Sequence, residues 1–420
     1  MFWTSKAGRS FNCKLPQPQR THSALPLPLG QAKIAPMEKL LIETPQQLVD
    51  FCDIIKTSPW LAVDTEFIRE KTYYPKLCLL QVANKHIAAC IDTLAINDLS
   101  PVMSVLYDTN IVKIFHACHQ DLEIFVHLNQ QVPKPIFDTQ IAGSLAGMGN
   151  QEGYAAAVHK LTGTTLDKSQ TRTNWEHRPL DLKQIEYGYA DVIYLGKIYE
   201  ILLAKLTQSR RLDWLAEDFI ALEEPNHFTS TPMEMWGKIK GHHTLKGVQL
   251  AILQVLAAWR EQRAQQKNLP RRWVLQDDAL LDIAKQMPSS LNKMAKIRGL
   301  TKKTIDQDGD KILDIIQSAQ QTPREQWPVN LVTYTKLTPS QEALTDVLMA
   351  VVRLKAEEHN VSPVSLAKRK ELEKLVAGEP SEALLSGWKK GLIGEQLVAI
   401  LNGEITVQVH NGQIRLLQQT

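Results

Sequence analysis

The sequence is poor in the features that mark disulfide-rich, zinc-binding and membrane-spanning proteins. Only five of its 420 residues are cysteines, and no two of them form a C-x-x-C pair. An odd number of cysteines without such a pair argues against a disulfide framework and a zinc ribbon, and it fits a reducing cytoplasm. The longest apolar runs, such as LCLLQVA, are too short to cross a bilayer. We therefore predict a soluble chain without membrane attachment.

Strong net charge and several common catalytic motifs are also absent. The formal net charge is +3, so no global basic field attracts nucleic acid, and any such surface must be local. The chain has no G-x-x-x-x-G-K-[ST] and no H-E-x-x-H motif. In GMGNQEG, Glu152 stands where a G-x-G-x-x-G fingerprint requires its last glycine. A P-loop, a zincin site and a dinucleotide fingerprint are thus not indicated.

Acidic residues are missing from the first 37 positions, which carry five basic residues and five prolines. The prolines interrupt any helix, and no continuous apolar core of a secretory signal is present. We predict that residues 1–36 are a disordered leader, with Met37 as an alternative start. A mitochondrial transit peptide is the second interpretation, because the segment is basic and free of acids.

Residues 37–206 alternate between strand-like and helix-like segments. Short apolar runs predict strands at Trp60–Phe67, Leu77–Ala83, His86–Ile91 and Ile111–Phe115. Helical spacing of apolar residues occurs at Leu99–Leu106, Leu122–Leu128 and Asp181–Leu206. Three strands followed by an α/β alternation predict a mixed sheet flanked by helices.

Beyond a connector at 207–241, the spacing of apolar residues predicts helices, and these helices form two similar copies. The segments LAILQVLAAWREQRAQQKNLPRRWVLQDDALLDIAK and EALTDVLMAVVRLKAEEHNVSPVSLAKRKELEKLVAG resemble each other at an offset near 92 residues. Each shows a long amphipathic helix, a turn with Asn and Pro, and a second helix. We therefore predict two small all-helical domains at 242–322 and 338–420, joined by a linker at 323–337.

Four carboxylates and a tyrosine are the strongest candidates for chemistry. Asp64 and Glu66 in LAVDTEF are two apart on a predicted strand, so they share a face and repel each other unless a cation neutralises them. Asp121 in FHACHQDLEIF lies near the start of a helix. Tyr187 and Asp191 in YGYAD are four apart on the long helix and are neighbours on its surface. Carboxylate ligands suit Mg²⁺ or Mn²⁺ rather than zinc.

Each cluster has a plainer interpretation when taken alone. The D-x-E pair fits a strand edge with solvated acids, Asp121 fits a helix cap, and Tyr187 fits a packing residue at the helix surface. His116 and His119 lie near Asp121. A histidine at a strand end is more often a hydrogen-bonded structural residue than a metal ligand. The three clusters in their order, rather than any one of them, indicate a metal site.

Together, the clusters resemble the DEDD exonuclease superfamily. Tyr187 stands four before Asp191, which resembles the tyrosine subclass rather than the H-x-x-x-x-D of the histidine subclass. The segments KLCLLQVA, HACHQDLEIF, PIFDTQIAG and LDKSQTRTNWEHRPL narrow the resemblance to the ribonuclease D family, although HACHQD departs from the more usual HACSED. The two repeats resemble the helicase-and-RNase-D C-terminal (HRDC) domain, the second more weakly. The resemblance spans residues 38–420 and implies a ribonuclease H-like exonuclease domain at 37–206 followed by two HRDC-like domains.

The resemblance also implies two-metal hydrolysis of RNA from its 3′ end, with release of nucleoside 5′-monophosphates. Asp64 would bridge two divalent cations, Mg²⁺ or Mn²⁺. Glu66 and Asp191 would complete one cation site, and Asp121 would hold the second cation, directly or through waters. Tyr187 would orient the attacking water, since a phenol with a pKa near 10 is a poor base by itself.

The expected partners are the 3′ ends of tRNA precursors and other structured RNAs, bound by a cytoplasmic monomer. Candidate RNA-contacting residues are basic and lie in the helical copies: Arg271, Arg272, Lys302, Lys303, Lys368, Arg369, Lys389 and Lys390. Such sets are usually solvated faces. Trp273 and Trp388 are candidates for stacking on bases, with core packing as the plainer interpretation. A DNA-trimming exonuclease and a non-catalytic nucleic-acid-binding scaffold are the alternative functions, and the intact set of five site residues disfavours the scaffold.

Overall fold

The structure is a computed structural model that describes residues 37–329 and 337–419. The predicted leader at 1–36 and residues 330–336 of the predicted linker lie outside the described residues. Within the part that is described, no helix combines the length and the apolar composition needed to cross a membrane.

A six-stranded sheet forms the centre of the first part of the chain. Its strands are β1 Glu38–Ile42, β2 Trp60–Ile68, β3 Lys76–Ala83, β4 Ile87–Asp92, β5 Val112–Phe115 and β6 Ile136–Asp138. Their spatial order is β1-β4-β3-β2-β5-β6. The β2–β3 and β3–β4 pairs are antiparallel, whereas the other three pairs are parallel. The predicted mixed sheet is confirmed, and the sequence analysis missed its two edge strands, β1 and β6.

Helices cover both faces of this sheet. They are α1 Pro45–Ile55, α2 Ser100–Leu106, α3 His119–Asn129, α4 Thr139–Leu145, α5 Tyr154–Thr162 and α6 Leu182–Gln208. The apolar residues of α1, α2 and α3 pack on one face together with Val63 and Val82. The apolar stripe of α6 packs on the other face, against Ala62 and Cys90. Asp64 and Glu66 follow Ala62 at a spacing of two, so they lie on the α6 side of the sheet.

Strand β2 is longer than its neighbour β5, and this difference opens the site. Strand β5 pairs with β2 only at residues 60–62. The chain then leaves β5 and enters α3 at His119. The end of β2 that carries Asp64 and Glu66 is therefore paired with β3 alone, and its other edge borders an open cleft.

The remaining elements are helical up to residue 401. The helices are α7 Ala216–Leu222, α8 Val248–Lys267, α9 Arg271–Val274, α10 Asp277–Gln286, α11 Leu291–Met294, α12 Lys302–Gln321, α13 Pro339–Glu358, α14 Pro363–Leu366, α15 Arg369–Val376, α16 Glu382–Leu385, α17 Gly387–Lys389 and α18 Glu395–Leu401, with a π-helical turn at Lys390–Gly394. Short 3₁₀ turns lie at Leu212–Leu215, Pro225–Phe228, Pro232–Lys238, His242–Thr244 and Arg324–Gln326. One apolar core joins residues between 235 and 319, and another joins residues between 348 and 397.

The order of elements repeats in these two helical units. Helix α8 ends at Lys267 and is capped by Asn268, and Asn360 lies two residues after the end of α13. Both asparagines adopt a left-handed φ of 48°, a conformation that asparagine tolerates better than most residues. A one-turn helix and a longer helix follow in each unit, α9 and α10 in the first, α14 and α15 in the second.

Both asparagine turns contact the first part of the chain. The side-chain oxygen of Asn268 accepts hydrogen bonds from the backbone N–H groups of Tyr73 and Tyr74, at 3.1 and 3.0 Å. The side chain of Asn360 lies against Gly147, where an added Cβ would come within 2.5 Å of it. The rings of Trp214 and Trp388 stack with their centroids 4.5 Å apart. The helical units are thus docked on the sheet-containing part through specific polar and aromatic contacts.

The expectation that everything beyond residue 240 is helical is wrong at the end of the chain. Strands β7 Ile405–His410 and β8 Gln413–Gln418 form an antiparallel hairpin. Asn411 and Gly412 make its turn with φ values of 50° and 76°. An Asn-Gly pair between alternating apolar residues is a strong hairpin signal, and here it follows a segment whose helical repeat pattern predicts helix.

Candidate metal centre

The D-x-E pair on β2 lies where the sequence predicts it. One carboxylate oxygen each from Asp64, Glu66 and Asp191 lies within 4.8 Å of the others. Such spacing suits ligands of a shared cation, and hard oxygen ligands suit Mg²⁺ or Mn²⁺. The structure thus brings together three of the four predicted carboxylates, although Glu66 and Asp191 are 125 residues apart in the sequence.

Helix α6 reaches the strand closely because it carries a glycine at the contact. A Cβ at Gly188 would lie 3.0 Å from Cys90 Sγ and 3.3 Å from Gln81 Nε2. Gln81 is the pairing partner of Asp64 on β3. Because Gly188 has no side chain, α6 packs close to the β2 and β3 residues around Asp64. This close packing places Asp191 beside Asp64.

Asp191 shows an unsatisfied buried oxygen. Its side chain is 7% exposed, and within the described part of the chain its Oδ2 atom has no hydrogen-bond partner. Burial raises the pKa of the Asp191 carboxyl, the Tyr187 hydroxyl lowers this pKa by a smaller amount, and Thr171 lines the same pocket as Tyr187 and Asp191. A buried carboxylate oxygen without a donor is costly unless a cation approaches it. This oxygen fits the ligand set of a metal ion.

Asp121 enters the cleft from the other side of the strand. It lies in the first turn of α3 and accepts a hydrogen bond from Thr65 Oγ1 at 2.5 Å. It is not among the three carboxylates that lie within 4.8 Å of one another, but it lines the same cleft as Asp64 and Glu66. Its position suits a ligand to a second cation rather than to the first.

The electrostatics of the four carboxylates also fit a cation. Burial, with the neighbouring charge of Asp191, raises the pKa of Asp64 well above its usual value. Burial and the charges of the other three carboxylates raise the pKa of Glu66 to about 10. Burial raises the pKa of Asp191 to about 8, and burial with the charge of Asp64 raises the pKa of Asp121. Four acids of this kind stay ionised together at neutral pH only when positive charge is supplied.

The nearby histidines are occupied by structural contacts. His116 Nδ1 lies 2.9 Å from Thr139 Oγ1, and His116 Nε2 lies 3.0 Å from the carbonyl oxygen of Glu152. Both ring nitrogens are therefore engaged. His119 packs its ring against Phe228, with the centroids 5.1 Å apart. These contacts agree with the structural interpretation of both histidines.

The cleft has a volume of about 680 Å³ and includes residues that the sequence analysis did not single out. Thr171, Arg172, Thr173 and Trp175 belong to the loop between α5 and α6, and they form one wall of the cleft. These residues belong to LDKSQTRTNWEHRPL, one of the segments that carry the family resemblance. An irregular loop shows no periodicity, so its side chains could not be placed from the sequence.

The predicted RNA-contacting residues have varied surroundings. Arg271 binds Glu261 through two hydrogen bonds of 2.5 and 2.8 Å, and Glu261 is 1% exposed. The Tyr73 hydroxyl donates to the same carboxylate, so Arg271 helps to hold the first helical unit against the β2–β3 loop. Arg369 is paired with Asp346 and Glu373.

The other basic residues leave more of their surface to solvent. Arg272 has a side chain that is 74% exposed, next to Trp273, which is 60% exposed. Other exposed members of the set are Lys302, Lys303, Lys368 and Lys390. Lys389 lies over the ring of Trp388, which is stacked on Trp214 as a packing residue.

Comparisons with known proteins match the chain in both parts. A family model described as a 3′-5′ exonuclease matches residues 40–207, and the HRDC domain model matches residues 249–316. Ribonuclease D of Granulibacter bethesdensis is 36% identical over 380 residues, covering 90% of this chain and 96% of the relative. Ribonuclease D of Sphingobium indicum is 37% identical over 381 residues, covering 90% and 98%.

A solved structure agrees with these sequence relatives. The crystal structure of Escherichia coli RNase D, described as an exoribonuclease involved in structured RNA processing, superposes with a TM-score of 0.77 at 32% identity. The match covers 87% of this chain and 99% of that chain. The resemblance to the ribonuclease D family is confirmed, and so is the predicted fold class of an exonuclease domain followed by helical HRDC structure. The HRDC model matches the first of the two predicted HRDC-like domains, and the second stays a prediction.

Proposed function

Because the chain belongs to the ribonuclease D family and is a metal-dependent 3′–5′ exoribonuclease, we propose that its four clustered carboxylates hold two divalent cations, Mg²⁺ or Mn²⁺. Asp64 would contact both cations, Glu66 and Asp191 would complete one site, and Asp121 would hold the second. The observation that carries this proposal is the Asp191 carboxylate, which has a buried, unpartnered Oδ2 and offers an oxygen within 4.8 Å of oxygens of Asp64 and Glu66. When bound, the cations would stabilise negative charge on the phosphodiester and lower the pKa of the attacking water.

Tyr187 would orient that water rather than accept its proton. Burial and the adjacent charge of Asp191 raise the pKa of the Tyr187 phenol well above its usual value, so the hydroxyl stays protonated at neutral pH. A protonated hydroxyl keeps its lone pairs free to accept a hydrogen bond from a water in the cleft. Thr171 lines the same pocket as Tyr187.

The proposed reaction releases nucleoside 5′-monophosphates one at a time from an RNA 3′ end. The proposed substrates are tRNA precursors and other structured RNAs, and the description of the Escherichia coli relative supports the second class. Candidates for contact with the body of such RNAs are the exposed basic residues Arg272, Lys302, Lys303, Lys368 and Lys390. Lys389 and Arg369 are secondary candidates, because Lys389 lies over the Trp388 ring and Arg369 pairs with two acids at 2.5 and 3.1 Å. Arg272 makes one longer contact, 3.7 Å to Asp277, and keeps 74% of its side chain exposed.

We propose that the protein acts as a monomer in a reducing cytoplasm. Cys52, Cys78, Cys90 and Cys118 are buried free thiols. Burial raises the pKa of all four, Cys52 to about 11, so they are poor nucleophiles and unreactive in that compartment.

Digestion of matched single strands of RNA and DNA tests the proposed function. With Mg²⁺, the RNA should shorten from its 3′ end and yield nucleoside 5′-monophosphates, and EDTA should stop the reaction. Degradation of DNA at an equal or higher rate would support a DNA-trimming exonuclease instead. Absence of hydrolysis of either strand, with tight binding of both, would support the non-catalytic scaffold.

A further inference from the structure

Two arginines line the catalytic cleft, and one of them has a bond within the protein at each of its three guanidinium nitrogens. Arg69 donates to both oxygens of Glu123, at 2.7 Å each, and its Nε donates to the carbonyl oxygen of Tyr73 at 3.0 Å. These bonds occupy all three nitrogens of the Arg69 guanidinium. Arg69 therefore fixes the chain that follows β2 and has little capacity left for a ligand.

Arg172 is in the opposite situation. It lines the same cleft and is exposed. Among residues 37–329 and 337–419, no hydrogen bond or ion pair engages its guanidinium. An arginine carries five donors in a planar fork that matches a phosphate or a carboxylate. Arg172 thus presents a complete anion-binding group to a cleft whose other cationic lining residue is satisfied.

The loop that carries Arg172 is anchored on both sides of it. The preceding residue, Thr171, contacts the Tyr187 hydroxyl. Trp175 is 2% exposed and fastens the loop to the core. Further on, Arg178 Nε and Nη2 donate to both oxygens of Asp92, at 2.6 and 2.8 Å. The backbone at Arg172 is therefore held beside the reacting groups, which lowers the entropy cost of binding a ligand there.

The chemistry of a 3′ end identifies which anion would meet Arg172. Cations at the four carboxylates would serve the scissile phosphate. The terminal nucleoside has a free 3′ hydroxyl, so the only phosphodiester adjacent to the scissile one lies on its 5′ side. We propose that the Arg172 guanidinium binds this adjacent 5′ phosphodiester and positions the RNA strand for cleavage, an inference that rests on the proposed exoribonuclease function.

Short RNAs with defined phosphates test this assignment. The substrates are a dinucleotide, a trinucleotide and a trinucleotide whose 5′ linkage is a neutral methylphosphonate, all with 5′ hydroxyl ends. The first cleavage is measured with Mg²⁺ for the wild type, R172A and R172K. R353A serves as the control, because Arg353 is an exposed arginine on α13 and lies outside the cleft. Melting temperatures of all four proteins should agree, because Arg172 and Arg353 are exposed.

We expect the effect of R172A to depend on the 5′ phosphodiester of the trinucleotide. R172A should lower kcat/KM on the normal trinucleotide by about 10- to 100-fold, mainly through KM, as for loss of a charge-assisted hydrogen bond. R172A should change kcat/KM on the dinucleotide little. The methylphosphonate should lower kcat/KM of the wild type by a similar factor and leave kcat/KM of R172A unchanged. On the normal trinucleotide, kcat/KM of R172K should lie between the values for the wild type and R172A. R353A should match the wild type.

Two results would overturn the assignment while leaving the proposed function intact. One is an equal loss for R172A on the dinucleotide and the trinucleotide, which would place Arg172 on the scissile phosphate. The other is additive losses from R172A and the methylphosphonate, which would show that they do not interact. A wild-type protein that cleaves none of the three RNAs with Mg²⁺ would contradict the proposed function itself, and this inference with it.

Discussion

Tyr187 lines a pocket together with Asp191 and Thr171, and its hydroxyl lowers the pKa of the Asp191 carboxyl against the larger effect of burial. The ring itself packs near Trp175, with the centroids 6.0 Å apart. These two sets of contacts are separable, because the ring packing does not need the oxygen. A single-atom change therefore distinguishes a catalytic hydroxyl from a packing side chain.

Tyr187→Phe should lower kcat by roughly 10²- to 10⁴-fold, because the attacking water loses the hydroxyl that orients it for proton transfer. Metal and RNA affinity should change little, because no carboxylate ligand is lost. Single-turnover cleavage of a labelled RNA, with the chemical step rate-limiting, measures the effect. An unchanged rate under those conditions would make Tyr187 a packing residue, and a loss confined to KM would indicate uniform substrate binding.

The raised pKa values of Glu66 and Asp191 predict how metal-free stability depends on pH. Their folded-state pKa values, about 10 and about 8, lie above the usual values of 4.5 and 3.8. The folded protein therefore holds protons that the unfolded chain releases, so stability should fall as pH rises from about 5 towards 9. Melting temperature in EDTA should decrease across this range by several degrees.

Mg²⁺ should remove most of that decrease, because cation binding replaces the protons. Asp191→Asn is the matched variant, since it eliminates one of the titrating groups and should flatten the profile in EDTA. A metal-free melting temperature that rises from pH 5 to 9 would contradict the assignment of the carboxylates as a crowded, buried cluster.

At the scale of elements, the site depends on how closely α6 lies on the sheet. Two glycines on α6 make this contact, Gly188 over Cys90 and Gln81, and Gly196 over Trp60. A Cβ at Gly196 would lie 2.7 and 2.9 Å from two ring carbons of Trp60. Helix α6 carries Asp191, so its height above β2 sets the separation of the ligands.

Gly196→Ala should therefore destabilise the protein by about 1–3 kcal/mol from overpacking, although alanine is the better helix former by about 1 kcal/mol. Urea unfolding measures the change. Gly237→Ala is the control, because Gly237 is exposed and its added Cβ would meet nothing within 4 Å. Equal or greater stability of Gly196→Ala would show that α6 has room to move away from Trp60.

The elements that the sequence predicts well are those with strong periodicity. The D-x-E face of β2, the long helix with Tyr187 and Asp191, and the two helical units all follow from local patterns. The docking role of Arg271 does not, because its partners Glu261 and Tyr73 come from separate elements whose approach no local pattern encodes. Likewise the hydrogen bond from Thr65 to Asp121 joins residues 56 apart.

At the scale of the whole molecule, the two helical units present equivalent turns to different parts of the exonuclease domain. Asn268 meets the β2–β3 loop at Tyr73, and Asn360 meets the α4–α5 loop at Gly147. Ser144 adds to the second contact, since its carbonyl oxygen accepts from Ser362 N–H at 2.9 Å. The four carboxylates all precede residue 192, so the helical units serve the RNA or the fold rather than the metal site.

Removal of residues 325–420 should keep cleavage of short single strands and weaken the binding of tRNA-sized RNA. The affinity that is lost should be sensitive to salt, because phosphate contacts release counterions. A salt series of Kd values for a tRNA precursor, with and without the segment, measures this. The double substitution K368A/K390A in the full chain is the comparison, because it removes charge while Trp388 still packs on Trp214.

Equal affinity of the truncated and full chains across the salt series would refute a binding role for the second helical unit. Loss of cleavage of short strands by the truncated chain would show instead that the unit supports the exonuclease fold, through the contacts of Ser144 and Trp214. The K368A/K390A variant separates a binding role from a structural role, since it removes charge and leaves the docking contacts in place.

The central claim is that metal held by the four carboxylates hydrolyses RNA from its 3′ end, and Asp64→Asn tests it most directly. The change removes the charge of the proposed shared ligand without changing its shape. Single-turnover digestion of a 5′-labelled RNA across a Mg²⁺ titration should give a ladder shortened from the 3′ end with the wild type. The variant should remain folded, by its melting temperature, and give no ladder at any Mg²⁺ concentration. Cleavage by Asp64→Asn within a few-fold of the wild-type rate would contradict the account.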